Sequence, residues 1–170
     1  EWRDKDGKPA DKGLVGEALK LHAETKDMED GSGITFHVYD GHRREIYSAG
    51  ADIEGDKAEA EWTYNYQYDP ERPLKEKPKF TFDVQGQRCK KKESTSVEIG
   101  MNIKILAQDE NGELAKNKKF YVSYSDGSNK SYSSNEQGEI ELKDIVPGII
   151  LNITEDKNNE TGLVSRGNQL

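Results

Sequence analysis

Apolar and polar residues alternate along most of this chain, in short segments. Ile34, Phe36 and Val38 occupy every second position, as do Phe80 and Phe82 later in the sequence. A period of two places such side chains on one face of a β-strand, whereas a helix repeats its apolar face after three or four residues. The pattern therefore predicts an all-β protein. The same period recurs at residues 18–24, 45–53, 58–64, 97–106, 120–124, 139–145 and 149–154.

The strongest helix candidate is the segment 15–29, which contains several helix-forming residues. Leu19, Leu21 and Ala23 nevertheless fit a period of two better than the helical period, so a strand is favoured over a helix. His22 lies on the opposite side of this strand from the apolar residues. Its side chain is therefore expected to face solvent.

Turn-forming pairs separate the alternating segments and divide the chain. Seven or eight strands are expected before about residue 99, which suits an immunoglobulin-like sandwich, and four to seven after it, which form a smaller one. The sequence therefore predicts two consecutive small antiparallel β-sandwiches, over residues 1–98 and 99–156, followed by a flexible tail or linker over 157–170. Asp–Gly or Asn–Gly pairs begin at Asp6, Asp30, Asp40, Asn111 and Asp126.

The charge balance restricts the partners that the chain can have. Asp and Glu total 33 against 25 Lys and Arg, which gives a net charge of −8 and an isoelectric point near 5.0. An acidic surface repels phosphate, so a nucleic-acid partner is not expected. No apolar run approaches the ~20 residues that span a bilayer, so membrane insertion is not expected either. The basic run at 89–93 is interpreted as a solvated strand edge or linker.

No arrangement of residues predicts catalysis, a metal or a cofactor. Cys89 is the only cysteine, and nothing in the sequence places His22, His37 or His42 beside it as a base. These histidines also lack further metal ligands at suitable spacing. The acidic segments 52–56 and 109–113 are interpreted as polar turns, because neither has the ligand spacing of a calcium loop. The chain is therefore expected not to be an enzyme.

An aromatic run between residues 62 and 68 has two interpretations. Trp62, Tyr64, Tyr66 and Tyr68 occupy every second position, so they could line a core or form a stacking shelf for a ligand. Trp62 and Tyr64 continue an apolar face and are predicted to be core. Tyr66 and Tyr68, with Arg72 in the following proline-containing loop, are the predicted partner contacts.

Two long segments resemble modules of a known family. Residues 1–40, EWRDKDGKPADKGLVGEALKLHAETKDMEDGSGITFHVYD, followed by AEAEWTY and PKFTFDVQG, resemble immunoglobulin-like modules in the C-terminal extensions of type VI secretion spike proteins (the valine-glycine-repeat family) and their associated effectors. Residues 102–148, NIKILAQDENGELAKNKKFYVSYSDGSNKSYSSNEQGEIELKDIVPG, resemble a transthyretin-like, or carboxypeptidase-regulatory-like, domain of the same setting.

The resemblance implies a non-enzymatic structural or adaptor module that binds a spike or effector protein. It implies a bacterial protein made in the cytoplasm and exported by, or attached to, a secretion apparatus. Its motifs are turn and core patterns that carry over no catalytic residue. The spike body and its β-helix needle have no counterpart in this chain.

Two other functions remain open. A cell-envelope binding module could hold a glycan or peptidoglycan on a shelf made of Tyr64, Tyr66 and Tyr68. The chain could also be an accessory domain of a hydrolase whose catalytic part lies outside this sequence.

Overall fold

The computed structural model describes residues 1–86, 93–149 and 151–156. These residues form strands and no helix, which confirms the predicted all-β fold class. The strands are β1 (Trp2–Arg3), β2 (Lys12–Leu14), β3 (Ala18–Glu24), β4 (Gly33–Tyr39), β5 (Glu45–Asp52), β6 (Lys57–Thr63), β7 (Lys79–Gly86), β8 (Val97–Leu106), β9 (Lys119–Tyr124), β10 (Asn129–Ser133), β11 (Glu139–Ile145) and β12 (Leu151–Glu155).

The chain divides into two compact units. The first unit contains Glu1–Gln67 and Glu76–Gly100, and the second contains Tyr68–Lys75 and the chain from Met101 onward. The domain limits predicted from the sequence, 1–98 and 99–156, stay predictions. The predicted tail, 157–170, lies outside the described residues.

The first unit is a β-sandwich with an immunoglobulin-like strand order. One sheet has the antiparallel order β1-β3-β6, and the other has β8-β7-β4-β5, to which β8 contributes only residues up to Gly100. In an immunoglobulin domain the first, second and fifth strands share one sheet, and β1, β3 and β6 take these places here. The third, sixth and seventh strands form the other sheet, and β4, β7 and β8 take those places. The short strand β2 runs parallel to β8, with Gly13 opposite Ile99.

Aromatic rings fill the space between these two sheets. The Trp2 ring lies 5.0 Å from that of Phe82, and the Trp62 ring lies 4.9 Å from that of Phe80, both edge-on. Edge-on contacts bring the positive rim of one ring to the negative face of the next. The predicted inward-facing residues Ile34, Phe36 and Val38 are buried here, as their alternation indicated.

The second unit packs two further sheets. The order β10-β9-β12 forms one antiparallel sheet, and β11 pairs with the Met101–Leu106 part of β8 in the other. The alternating residues of β9 and β11 point inward and are buried, which confirms the predicted strand faces. These residues are Phe120, Val122, Tyr124, Ile140 and Leu142.

Four turns share one local geometry that the sequence dictates. In each, an Asp or Asn oxygen accepts the backbone N–H groups of the residues two and four positions on, and the residue three positions on is left-handed. The left-handed residue is glycine in three turns but Arg43 in the fourth. The predicted Asp40-Gly41 turn therefore forms, although Gly41 does not supply the left-handed conformation. The first residues of the four turns are Asp4, Asp40, Asp109 and Asn135.

Candidate interaction surfaces

The first half of the aromatic run is part of the core. Trp62 is 5% exposed, and the Tyr64 ring lies 6.1 Å from the Trp62 ring and 4.9 Å from the Phe80 ring. Burial, with a smaller contribution from Tyr66, raises the pKa of the Tyr64 hydroxyl. Both residues therefore have the structural role that the sequence predicted.

The second half of the run is more open and is shared between the two units. Tyr66 belongs to the first unit and is half-buried, while Tyr68 and Arg72 belong to the second and are exposed. The Arg72 backbone N–H donates to the Asp69 carbonyl oxygen at 3.1 Å, so Arg72 lies on a tight turn. A partner-binding role for Tyr66, Tyr68 and Arg72 stays a prediction.

The prediction that His22 faces solvent was wrong. Its side chain is 1% exposed, on the middle strand of the sheet β1-β3-β6. On one side, the backbone groups of His22 exchange hydrogen bonds with those of Glu1 on β1's side of the sheet. On the other side, a carboxylate oxygen of Glu59 lies 2.9 Å from the His22 Nδ1. A middle strand has neighbours on both sides, so a residue on its polar face can still be covered.

The buried His22 ring pairs with the carboxylate of Glu59, whose side chain is exposed. The hydrogen bond from His22 lowers the pKa of the Glu59 carboxyl, and the ammonium group of Lys20, 3.7 Å away, lowers it further. Partial desolvation of the carboxyl acts in the opposite direction but is the smaller effect. The other ring nitrogen of His22 is buried and has no hydrogen-bond partner among the described residues. This nitrogen is closed to solvent and has no described nucleophile within hydrogen-bond distance, so it can neither reach a substrate nor activate such a group.

The remaining candidates for chemistry are dispersed. His37 lies with its Nδ1 3.2 Å from a Glu45 carboxylate oxygen, and His42 is exposed on its turn. Within residues 1–86, 93–149 and 151–156, no group of three His, Cys, Asp or Glu side chains could hold a metal ion. Cys89 and the lysines that follow it lie outside the described residues.

The first unit has an acidic groove between two strands that each pair on one side only. β5 pairs with β4, and β6 pairs with β3, so the other edge of each faces the groove without a described partner strand. The cavity holds about 500 Å³. Its lining is three carboxylates, one ammonium group and three small residues, namely Asp52, Glu54, Glu59, Lys57, Gly50, Ala51 and Ala58.

The second unit has an apolar cleft between two strands that also pair on one side only within the unit. The Met101–Leu106 part of β8 pairs with β11, β12 pairs with β9, and no other described strand pairs with either within this unit. The cleft has a volume of about 280 Å³. Leu106, on its rim, is 55% exposed. The lining residues are Ile105, Leu106, Ala107, Gln108, Phe120, Ile140, Ile153 and Glu155.

Sequence reasoning missed the groove of the first unit. It interpreted residues 52–56 as a polar turn, and they are one: Glu54 and Lys57 pair across it, with Gly55 and Asp56 left-handed. The overlooked signal is that acidic residues recur at every second position on both sides of this turn. Asp52 and Glu54 precede the left-handed residues Gly55 and Asp56, and Glu59 and Glu61 follow them.

The described part of the chain contains no helix that is long and apolar enough to cross a membrane. No protein-family model and no curated protein matches the sequence.

Several solved structures of β-rich proteins are similar in outline. Trypsin-activated α2-macroglobulin of Escherichia coli is 8% identical with a TM-score of 0.41, over 94% of this chain and 15% of that one. A tetra-tandem repeat from the extending region of a large adhesion protein is 10% identical with a TM-score of 0.33, over 88% and 46%. The major pilin subunit BcpA of Bacillus cereus is 13% identical with a TM-score of 0.29, over 99% and 64%. The chain thus spans only part of each of these proteins.

Proposed function

We propose that this chain is a non-enzymatic adaptor that binds a protein partner through its open sheet edges. The observation that carries the proposal is the pair of grooves, one in each unit, that lie between strands with an unpaired edge. Such an edge presents a row of N–H and C=O groups that can pair with an added strand. Peptide recognition by strand addition takes its affinity from these backbone bonds and its specificity from side-chain pockets beside them.

The electrostatics and the histidines support the non-enzymatic part of this proposal. The shorter of the two histidine–carboxylate contacts described above joins His22 to Glu59, and His22 is buried. An acid–base group has to reach its substrate directly or through one water. The buried His22 does not meet this requirement.

The setting that the sequence resemblance favours is a bacterial contractile secretion apparatus of the type VI kind. In this setting the chain is made in the cytoplasm, attaches to a spike or effector protein and leaves the cell with it. This part of the proposal rests on the turn and core motifs of residues 1–40 and 102–148 alone.

A cell-envelope module that binds glycan or peptidoglycan is the alternative. The observation in its favour is the partial exposure of Tyr66 and the 43% exposure of Tyr68. Sugar rings stack on exposed aromatic faces, so this function would require these tyrosines and would not require an open sheet edge.

The two functions are separated by one set of binding measurements. The purified chain is mixed with purified spike and effector proteins of the same bacterium, and complexes are sized by chromatography with light scattering. In parallel, the chain is sedimented with peptidoglycan, alone and as Tyr66→Ala and Tyr68→Ala variants whose folding is checked by circular dichroism. An adaptor forms a stable protein complex and does not sediment.

Sedimentation that is lost in a folded Tyr66→Ala or Tyr68→Ala variant would favour the envelope module and contradict the adaptor. A complex with a spike or effector protein that persists in both variants would support the adaptor. If the chain formed no complex with any of these proteins, the proposed secretion setting would be contradicted.

A further inference from the structure

We infer that the groove between β5 and β6 in the first unit binds an extended peptide segment that carries lysine or arginine at alternate positions. This inference rests on the proposed function and specifies the partner of one of its two grooves. The groove offers two features to such a segment: unpaired strand edges for its backbone and carboxylates for its side chains.

The strand β5 has the properties of an edge that accepts another strand. It is eight residues long, extended, and exposed along most of its length. Proteins often protect an edge with proline or lysine, and β5, with the sequence EIYSAGAD, contains neither.

Charge decides which kind of segment fits. Asp52, Glu54 and Glu59 line the groove, and Lys57 is the only cation among its lining residues. Among the described residues neither Asp52 nor Glu54 is assigned an ion pair, so both carboxylates can pair with an incoming cation, and Lys57 offsets only part of their charge. Glu59 is held by His22 and Lys20, and its pairing with them fixes one wall of the groove.

The backbone of the groove is also suited to close approach. Gly50, Ala51 and Ala58 have small or absent side chains, so a second backbone can reach the edge without displacing a bulky group. At the other end of β5 the Tyr47 hydroxyl donates to the Glu61 carbonyl oxygen at 3.0 Å. This bond ties β5 to β6 and limits the groove to the Gly50–Asp52 end.

The test uses a synthetic peptide of alternating lysine and valine, eight residues long like β5. Its binding to the intact chain is measured by calorimetry at low and at high salt, and amide hydrogen exchange maps the contact. Two control peptides separate the contributions. In one, glutamine replaces every lysine; in the other, proline replaces every valine, which keeps the charge and removes strand geometry and half of the N–H donors.

The protein variant is the double substitution Asp52→Asn with Glu54→Gln. The matched control, Glu110→Gln with Glu136→Gln, changes the net charge equally at exposed positions of the second unit. We expect the lysine–valine peptide to bind the unmodified chain and the control equally, and the Asp52/Glu54 variant about fivefold more weakly, as expected for two exposed ion pairs. Binding should weaken at high salt, and amide exchange should slow in β5.

The inference would be overturned if the glutamine-substituted peptide or the proline-substituted peptide bound as tightly as the lysine–valine peptide. An undiminished affinity of the Asp52/Glu54 variant, or no binding at all, would overturn it too. These failures are distinct from failure of the proposed function, because a spike or effector protein could still bind the cleft of the second unit.

Discussion

The two units of this chain fill their cores in different ways. In the first, six aromatic rings contact one another between the sheets: those of Trp2, Phe36, Trp62, Tyr64, Phe80 and Phe82. In the second, the core is mainly aliphatic, with Phe120 and Tyr124 as its buried aromatic residues. Both units are β-sandwich-like, so the same class of fold tolerates either solution.

The difference in cores goes with a difference in grooves. In the first unit the aromatic rings are buried between the sheets, and the groove, between strand edges, is lined by charged and small residues. In the second unit Ile105 and Ile153 stay half-buried and line an apolar cleft. The first unit is therefore suited to a charged segment, and the second to an apolar one.

The largest expected effect is on the aromatic core. Trp62→Ala removes a ring that contacts three neighbours, so it should lower the free energy of unfolding of the first unit by about 4 kcal/mol. The measurement is denaturant unfolding followed by the fluorescence of the remaining Trp2. Tyr68→Ala, at a 43% exposed residue, is the control and should change stability by less than about 0.5 kcal/mol. Equal losses would show that the rings do not carry the core.

The aliphatic core should be less sensitive, but still clearly so. Ile140→Ala at a fully buried position of the second unit should lower its stability by about 3 kcal/mol. Leu106→Ala, on the rim of the same cleft and 55% exposed, should cost less than about 1 kcal/mol. Hydrogen exchange of the amides of β9 and β11 reports on this unit. If the Leu106 variant loses as much stability as the Ile140 variant, then Leu106 is buried in solution and the cleft is closed.

The shared turn geometry allows a comparison of both units at one kind of position. Gly112 and Arg43 hold the same left-handed place in their turns, with φ of 81° and 60°. Gly112→Ala should therefore cost the second unit about 1 kcal/mol, whereas Arg43→Gly should stabilise the first by about 0.5 kcal/mol. Gly33→Ala, at an ordinary φ with open space around it, is the control and should have little effect. A destabilised Arg43→Gly variant would contradict this explanation.

The smallest expected effect is the acid sensitivity of the first unit. The pKa of Glu59 is lowered below 4.5 in the folded chain, so its contribution to stability is present above its unfolded pKa and is lost as pH falls through the lowered value. The unmodified chain should therefore lose more stability on acidification than Glu59→Gln, as measured by fluorescence-detected unfolding. Glu61→Gln should behave like the unmodified chain. The second unit contains no histidine, and this pair has no counterpart there.

The sequence was sufficient to predict most of the strands and the buried faces of several of them. Alternation depends on neighbours two residues apart, so the buried sides of β4, β9 and β11 could be inferred from local pattern alone. Trp62 and Tyr64 were likewise predictable as core, because they extend an apolar face that begins at Ala58 and Ala60.

Features that depend on distant strands were out of reach. His22 is covered because Glu59, 37 residues away, lies opposite it on β6, and no local pattern encodes that pairing. The groove also depends on which strands end a sheet. Arg43 has a left-handed conformation that glycine adopts more easily. The alternation of apolar and polar residues does not indicate which residue of a turn is left-handed.

Amide hydrogen exchange with and without the lysine–valine peptide tests the central claim, binding at an open sheet edge, most directly. We predict slower exchange at the Gly50–Asp52 end of β5 and unchanged exchange at Tyr66 and Tyr68. Slower exchange at Tyr66 and Tyr68, with none in β5, would contradict it and would return the binding site to the aromatic run.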